Sequence, residues 1–555
     1  MGGREIMPYQ MDEVRDFTGG VNIASSPDSL LQNQCLEFTN LIPNLTGGAD
    51  RRSGYTENSD IEVDYSVKRF IEFEYIVGTV PVIKRLALAN SNLYDTLDNA
   101  EIVTGLEAHA DYEVYKNKAY ILSGGRFMVH DGASIADVTN GAGDSNLTEI
   151  AKCKYIEQYG ERLFASGNPD NPNELYFSEI ADPTYWKTTS VIQAISDDGD
   201  VITGLKEFHS GLLVFKAGYI YVWYGVDPTT DVVFKRVNAD TGTKAYRTIQ
   251  RVGNKLFYLG DDGVYRLNAI EVDMIATDKV SKTIEPIFEN IKYYADNKHY
   301  LNTACAIFDR GRYILNIPTT YVGVNDTTAV HFDNPLQNEQ LYFSWGFWTN
   351  YRFNAFLQSH DGEIYMGSSL EDGKIYKHTE GVYNDNGSGI PVTLRTRPLS
   401  QGSLVNIKKY RKAYIIARQS KTLADVSLTV GFRAGYIEER YLITVTESMI
   451  WGQPWGQKWG YKEVVVREYS IRERNERVEL LVEENTADTP LVIYGFALEF
   501  KVKKPKKYPD PVVETTSPIP DITPVPQPEE GNPQLVLYDE VLVEYGSVQV
   551  TYDAG

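Results

Sequence analysis

The sequence predicts a mainly β protein: a β-propeller of about seven blades, an added antiparallel β-sandwich or barrel domain, and an extended C-terminal tail. Three observations lead there. The chain carries 39 tyrosines beside 44 glycines, and its apolar residues fall in short runs. Aromatic and β-branched residues between turn formers favour strands. One simple strand–turn–strand unit recurs through the middle of the chain. No long amphipathic helical pattern competes with it, and no 18-residue apolar stretch is present, so no membrane span is expected.

Residues 1–60 read as an N-terminal arm with a short helix. The arm contains DFTGGVNIASSPDSLLQNQ (16–34). Gly19 and Gly20 would let an extended segment turn sharply. Ser26 and Pro27 suit a helix N-cap and first position. Leu30, Leu31, Cys35 and Phe38 would then share one helical face. The stretch reads as an arm that docks and closes a ring, not as a catalytic loop.

Residues 61–390 carry the repeat. It appears at RLALANSNLYD (85–95), KAYILSGGRFMVHDG (118–132), RLFASGNPDNPNELYFSEI (162–180) and GLLVFKAGYIYVWY (211–224). It returns at NKLFYLGDDGVYRLN (254–268), GRYILNIP (311–318) and EIYMGSSLEDGKIYKH (363–378). Most starts lie roughly 35–55 residues apart, the size of a four-stranded blade. One small sheet cannot bury both faces alone, and a ring of them can. One helical insertion is expected near 279–294, on the outside of the ring. There Val280, Ile284, Ile287, Phe288 and Ile291 keep helical spacing, and Pro286 inside the run marks a kink or a helix start near Ile284 or Glu285.

From residue 391 to 503 longer alternating strands predict a separate antiparallel domain. VSLTVGF (426–432) would place Val426, Leu428, Val430 and Phe432 on one face. Residues 504–533 hold nine prolines and read as an extended linker without a core. Residues 534–555 alternate apolar and polar about Gly546-Ser547. They read as a β-hairpin anchor, too small to stand alone in water.

The chemistry is mostly one of absence. A net charge of −22 argues against a general nucleic-acid binder, which needs a basic surface. It leaves open a protein that nucleic acid must slide past without sticking. Three distant cysteines predict no disulfide framework and folding in a reducing cytoplasm. The seven histidines are scattered, without metal spacing. No nucleophile elbow, P-loop or zinc-protease motif is present. The acidic turns SDDGD (196–200) and GDDG (260–263) lack the ligand ladder of a calcium loop. No catalytic centre, cofactor or metal is expected. In WGQPWGQKWG (451–460), Trp451, Trp455 and Trp459 could form a platform for sugar rings; packing onto the β domain is the favoured reading. In KKYRKAYIIAR (408–418) the cations are expected to alternate outward on a strand or to pair with acidic groups across an interface.

Taken together, these elements resemble the tail hub or tail nozzle (packaged-DNA stabilisation, tail tubular B-like) proteins of short-tailed bacteriophages. The likeness rests first on residues 16–55, on Phe17, Gly19, Gly20, Asn22, Leu30, Leu31, Asn40, Arg52, Gly54 and Tyr55. RLFASGNPDNPNELYFSEIADPTYW (162–186) carries it further. It spans about residues 14 to 500; the proline linker and final hairpin have no counterpart. The resemblance implies a structural virion protein, assembled in the host cytoplasm. It implies a ring, usually of six copies, below the portal and head–tail adaptor. Such a ring continues the DNA channel, retains packaged DNA and attaches tail fibre, spike or plug proteins. The alternative reading is a glycan-binding or glycan-cleaving propeller.

Overall fold

The structure, a computed structural model, describes residues 8–503 apart from short segments, the longer being 294–299, 334–343, 419–425 and 446–463. Residues 1–504 form one compact unit. It is mainly β, with 53% strand and 6% helix.

Six small antiparallel meanders follow one another, each of four strands. Sheet 1 runs over Val67–Val77, Val80–Ala89, Asn92–Asp95 and Glu101–Val103. Sheet 2 spans Asp111–Tyr115 to Ile135–Asp137, sheet 3 Tyr155–Tyr159 to Val191–Gln193, and sheet 4 Ile202–Phe208 to Phe234–Arg236. Sheet 5 spans Gln250–Val252 to Met274–Lys279, and sheet 6 Cys305–Asp309 to Ser344–Trp348. Sheet 7 takes three strands from Phe353–Gln358, Ile364–Ser368 and Lys374–His378. Its fourth is Tyr55–Asp60, which pairs antiparallel to Lys374–His378. The arm thus supplies the last strand of the last sheet.

Each sheet packs on the next, and the first strand of sheet 7 packs on that of sheet 1. The sheet pairs 1–2, 2–3, 3–4, 4–5 and 7–1 each enclose an apolar cluster of their own. Six of the seven repeat units recognised in the sequence coincide with the second and third strands of successive sheets, and GRYILNIP lies on the second strand of sheet 6. In sheets 2 and 4 the second strands Lys118–Ser123 and Gly211–Lys216 are buried almost throughout, and their residues are correspondingly apolar.

The arm and the C-terminal residues complete two larger sheets. Beyond Ser344–Trp348, sheet 6 continues through Gly20–Val21, Gln34–Thr39, Val392–Thr396, Glu479–Glu484, Val426–Ala434 and Ile437–Val445. A second sheet joins Leu41–Pro43, Ala49–Arg51, Val492–Val502, Lys408–Arg418 and Val464–Ser470, with Gln10–Val14 on Val492–Val502. Tyr410, Ala413 and Ile415 of one sheet share a core with Leu394, Val430 and Val482 of the other. The sequence boundary at 391 is therefore no gap in hydrogen bonding: Val392–Thr396 pairs with the arm on one side and Glu479–Glu484 on the other.

The short helix expected after Pro27 is a correction. Pro27–Ser29 makes a single 3-10 turn, with the proline in its first turn, and Gln34–Thr39 is a strand. Cys35 and Phe38 are both buried, yet through a β-bulge between Cys35 and Glu37. The extra residue turns side chains three apart to the same face, which imitates helical spacing. Leu30 is buried, whereas Leu31 is 43% exposed, so the two do not share a face. The second expected helix is present: a 3-10 turn at Lys282–Ile284 leads into an α-helix at Glu285–Tyr293. Val280, Ile284 and Phe288 are buried in the main core, and the Trp345 indole donates to Val280 O at 2.9 Å.

Candidate functional site

The arm residues singled out in the sequence meet at one junction. Arg52 is fully buried, and all five of its N–H donors are used. Nε donates to Asn40 Oδ1 at 2.8 Å. Nη1 and Nη2 grip the Asp385 carboxylate at 2.8 and 2.6 Å and also reach Ser53 O and Thr349 O. The guanidinium lies over Trp348 and Tyr351 at 5.5 and 5.2 Å. A planar fork matched to a carboxylate and stacked on aromatics is a role that only Arg fills. Beside it, Arg51 pairs with buried Glu484 and donates to Ile390 O, Thr486 O and Thr489 O. Tyr55 stacks edge-on with Tyr351, Phe353 and Tyr376.

The glycines are explained by close approach. A Cβ on Gly54 would lie 1.7 Å from Asn384 O, and one on Gly20, at φ +62°, 2.2 Å from Trp345 O. Gly19 lies against Asn33 O and donates its N–H there at 3.0 Å. Phe17 is buried edge-on to Phe496 at 5.9 Å. Asn22 donates to Gln34 Oε1 at 3.0 Å and accepts from the backbone of Ala24 and Ser25, an Asx turn that replaces the expected cap. These side chains are committed within the chain; of the predicted arm set only Leu31 is exposed.

A second constellation fills the middle of the cycle of sheets. The 3-10 turn Tyr246–Thr248 joins sheets 4 and 5. Tyr246 OH donates to Ala110 O at 3.5 Å. Arg247 donates to Asn354 O at 3.0 Å and Thr303 O at 2.6 Å, and also to Lys68 O. Arg69 sits between Tyr112 and Tyr246 and binds Asp111 at 2.9 Å. One turn thus ties together residues from sheets 1 and 7 and the segments just before sheets 2 and 6. Nothing in the local sequence around Tyr246 and Arg247 marks them, because their partners lie 56 to 179 residues away.

Next to this plug the first strands carry Glu113, Glu157 and Lys206. Lys206 Nζ binds Glu157 at 2.9 Å, and Glu157 also accepts the Glu207 N–H. Burial would lower Lys206, but Glu157 and Glu113 outweigh it and hold it above the usual lysine range. Burial and the neighbouring Glu157 push Glu113 up from 4.5 to about 8. A carboxyl raised in the folded state gives stability that is full below its unfolded value and is lost as pH rises through about 8. Glu113→Gln is therefore expected to raise the unfolding midpoint at pH 9, by roughly 1–2 °C, and to change it little at pH 4. Calorimetry at the two pH values checks this; an equal shift at both would contradict it.

The remaining expected features are structural where described. The acidic turns hold lysines: Asp198 pairs with buried Lys216 at 2.8 Å, Asp261 with Lys244 at 2.5 Å and Asp262 with Lys279 at 3.0 Å. Lys408 departs from the outward alternation. It is buried, and its ammonium caps Ser403 O and Glu476 O. Arg411, which is exposed, pairs with Glu499 at 3.1 Å. Burial pushes the Cys35 and Cys305 thiols up to about 12 and raises Cys153 as well. Burial lowers His109 and His331 to about 4. No group of three metal-ligating side chains occurs among the described residues. Trp451, Trp455 and Trp459, the linker at 504–533 and the hairpin at 534–555 lie outside the described residues.

No family model matches the chain, and no curated protein does. Among solved structures, the extracellular domain of a hybrid two-component system from B. thetaiotaomicron is similar over 72% of this chain at 8% identity, with a TM-score of 0.39. PorZ, a surface component of the type-IX secretion system of Porphyromonas gingivalis, is similar over 64% at 11% identity and a TM-score of 0.35. The chain spans 47% and 44% of the lengths of these two proteins. The AfRom2 CNH domain is similar over 59% of this chain at 9% identity and a TM-score of 0.35. Likeness at this level carries no argument about function.

Proposed function

We propose that this chain is a structural, non-catalytic protein of a short-tailed phage virion, a seven-bladed β-propeller with a fused β domain. Several copies form the ring below the portal and adaptor that continues the DNA path. The observation that carries the reading is the arm junction. Asn40, Arg52, Gly54 and Tyr55, which carry the resemblance to tail hub proteins, converge with Asp385 on the point where the arm joins the last sheet.

Two further observations support it. Seven sheets packed in a cycle, the last completed by an N-terminal strand, is how a propeller closes. The middle of that cycle is filled by Arg69, Tyr246 and Arg247, so a duplex would run between copies, not through one chain. A net charge of −22 per copy suits a wall that repels DNA and lets it slide.

Antibodies against the chain should label one end of tailed particles whose genome encodes it. Particles assembled without it should fill with DNA and then leak it. Single Ala substitutions at Cys35, Cys153, Cys305 or any histidine should leave infectivity intact in correctly folded protein. Full-headed, infective particles lacking the chain would overturn the proposal, as would a monomer that hydrolyses host glycans.

A further inference from the structure

Two exposed apolar features are left over. In sheet 1 the strands Val67–Val77 and Val80–Ala89 pair to their tips, but the third strand reaches only Leu86–Ala89. The remainder projects as a two-stranded ribbon. Its base is fixed: Phe73 packs on His130 at 5.2 Å, and the Tyr75 ring lies against Gly132. Its tip, YIVGTVPVI (75–83), has no charged residue. Ile76, Val77 and Val80 are 57%, 56% and 59% exposed. A free apolar ribbon is marginal in water and prone to association unless covered.

The second feature is the loop SQGSLVNI (400–407), which is also uncharged. Ser403 N donates to Ser400 O at 3.0 Å, Asn406 N to Ser403 Oγ at 3.2 Å, and Tyr410 OH to Gln401 Oε1 at 2.8 Å. Buried Lys408 clasps the base through Ser403 O and Glu476 O. This built loop holds Val405 83% exposed, with Leu404 and Ile407 beside it. Its order is set before any partner arrives, which lowers the cost of binding.

We propose that the ribbon tip of one copy seats on the 400–407 loop of the next, joining copies head to tail. The inference rests on the multi-copy ring proposed above and names its contact. Charge selects the occupant. Copies of a chain with net charge −22 repel one another, so stretches without carboxylates are favoured places for their contact, and these two qualify. The same charge disfavours an anionic lipid surface. Two different patches in contact give a heterologous interface, the kind that closes rings.

The test uses the full chain, native mass spectrometry and sedimentation. Wild type is expected to form a closed oligomer. Val77→Asp/Val80→Asp and Val405→Asp should each give folded monomers by circular dichroism, with the contact weakened at least about a hundredfold by a carboxylate forced into an apolar site. Mixed together, the two variants should form 1:1 dimers, because one intact ribbon meets one intact loop. Oligomers unchanged in both variants would overturn this contact and leave the ring standing. A monomeric wild type would overturn both. Absence of the mixed dimer would overturn the pairing of ribbon with loop. Flotation with phosphatidylcholine–phosphatidylglycerol vesicles that is lost in the ribbon variant, with oligomers unchanged, would assign the tip to membrane instead.

Discussion

A chain lacking residues 1–60 should lose its cooperative unfolding transition. Phe17, Val21, Phe38 and Leu41 are buried in the main core. At about 1.5–3 kcal/mol for each buried large side chain, their removal costs roughly 6–12 kcal/mol. That is comparable with the whole stability of a typical domain, about 5–15 kcal/mol. The deletion also takes Tyr55–Asp60 from sheet 7 and Gln34–Thr39 from between sheet 6 and Val392–Thr396. It leaves Asp385 and Glu484 buried without Arg52 and Arg51. The expected result is a broad, shallow melt and rapid proteolysis of residues 391–503. A fragment 61–503 that melted as sharply as the full chain would show that the arm is an accessory.

Arg52→Ala should destabilise the chain by about 3–5 kcal/mol, the usual cost of breaking a buried pair. Its side chain and that of Asp385 are 0% and 2% exposed. Burial raises the Asp385 carboxyl above its usual range even against the pull of Arg52. The pair is thus held at a desolvation cost, and the penalty comes from stranding one member. Arg52→Met alone should be about as harmful as Arg52→Ala. Arg52→Met with Asp385→Leu should recover a large part of the loss, since an apolar pair leaves no orphaned charge. Denaturant midpoints of the four proteins decide it. A loss below about 1 kcal/mol in the single variant, or no recovery in the double, would refute the account.

The parts of this protein that were legible in its sequence are those whose signal is local. The strand–turn–strand units at 85–95, 118–132, 162–180, 211–224, 254–268 and 363–378 each lie on the two middle strands of one sheet, and 311–318 lies on one such strand, because the apolar residues of a strand and the turn formers beside it are a local signal. The helix at Glu285–Tyr293 was visible in its periodicity and its proline. Gly19 and Gly20 mark the arm directly, whereas Arg52 and Gly54 stand out only through the resemblance to tail hub proteins. Where the reading failed, a local pattern had two solutions. Cys35 and Phe38 three apart suit a helix, and they suit a bulged strand equally well.

By itself, then, the sequence determined a mainly β chain of repeated small sheets with a docking arm at its start. Only the tertiary structure decided where that arm goes. Arg52 meets Asp385 across 333 residues, and Tyr55–Asp60 pairs with Lys374–His378. Lys408 lies buried on a strand whose alternation placed it outward, and Arg247 fills the middle of the cycle through backbone carbonyls of distant residues. The physical reason is common to all of these. Periodicity records which face of a segment is apolar. The partner that covers that face, or satisfies a buried charge, is chosen by chain segments hundreds of residues away, and no local pattern records the choice.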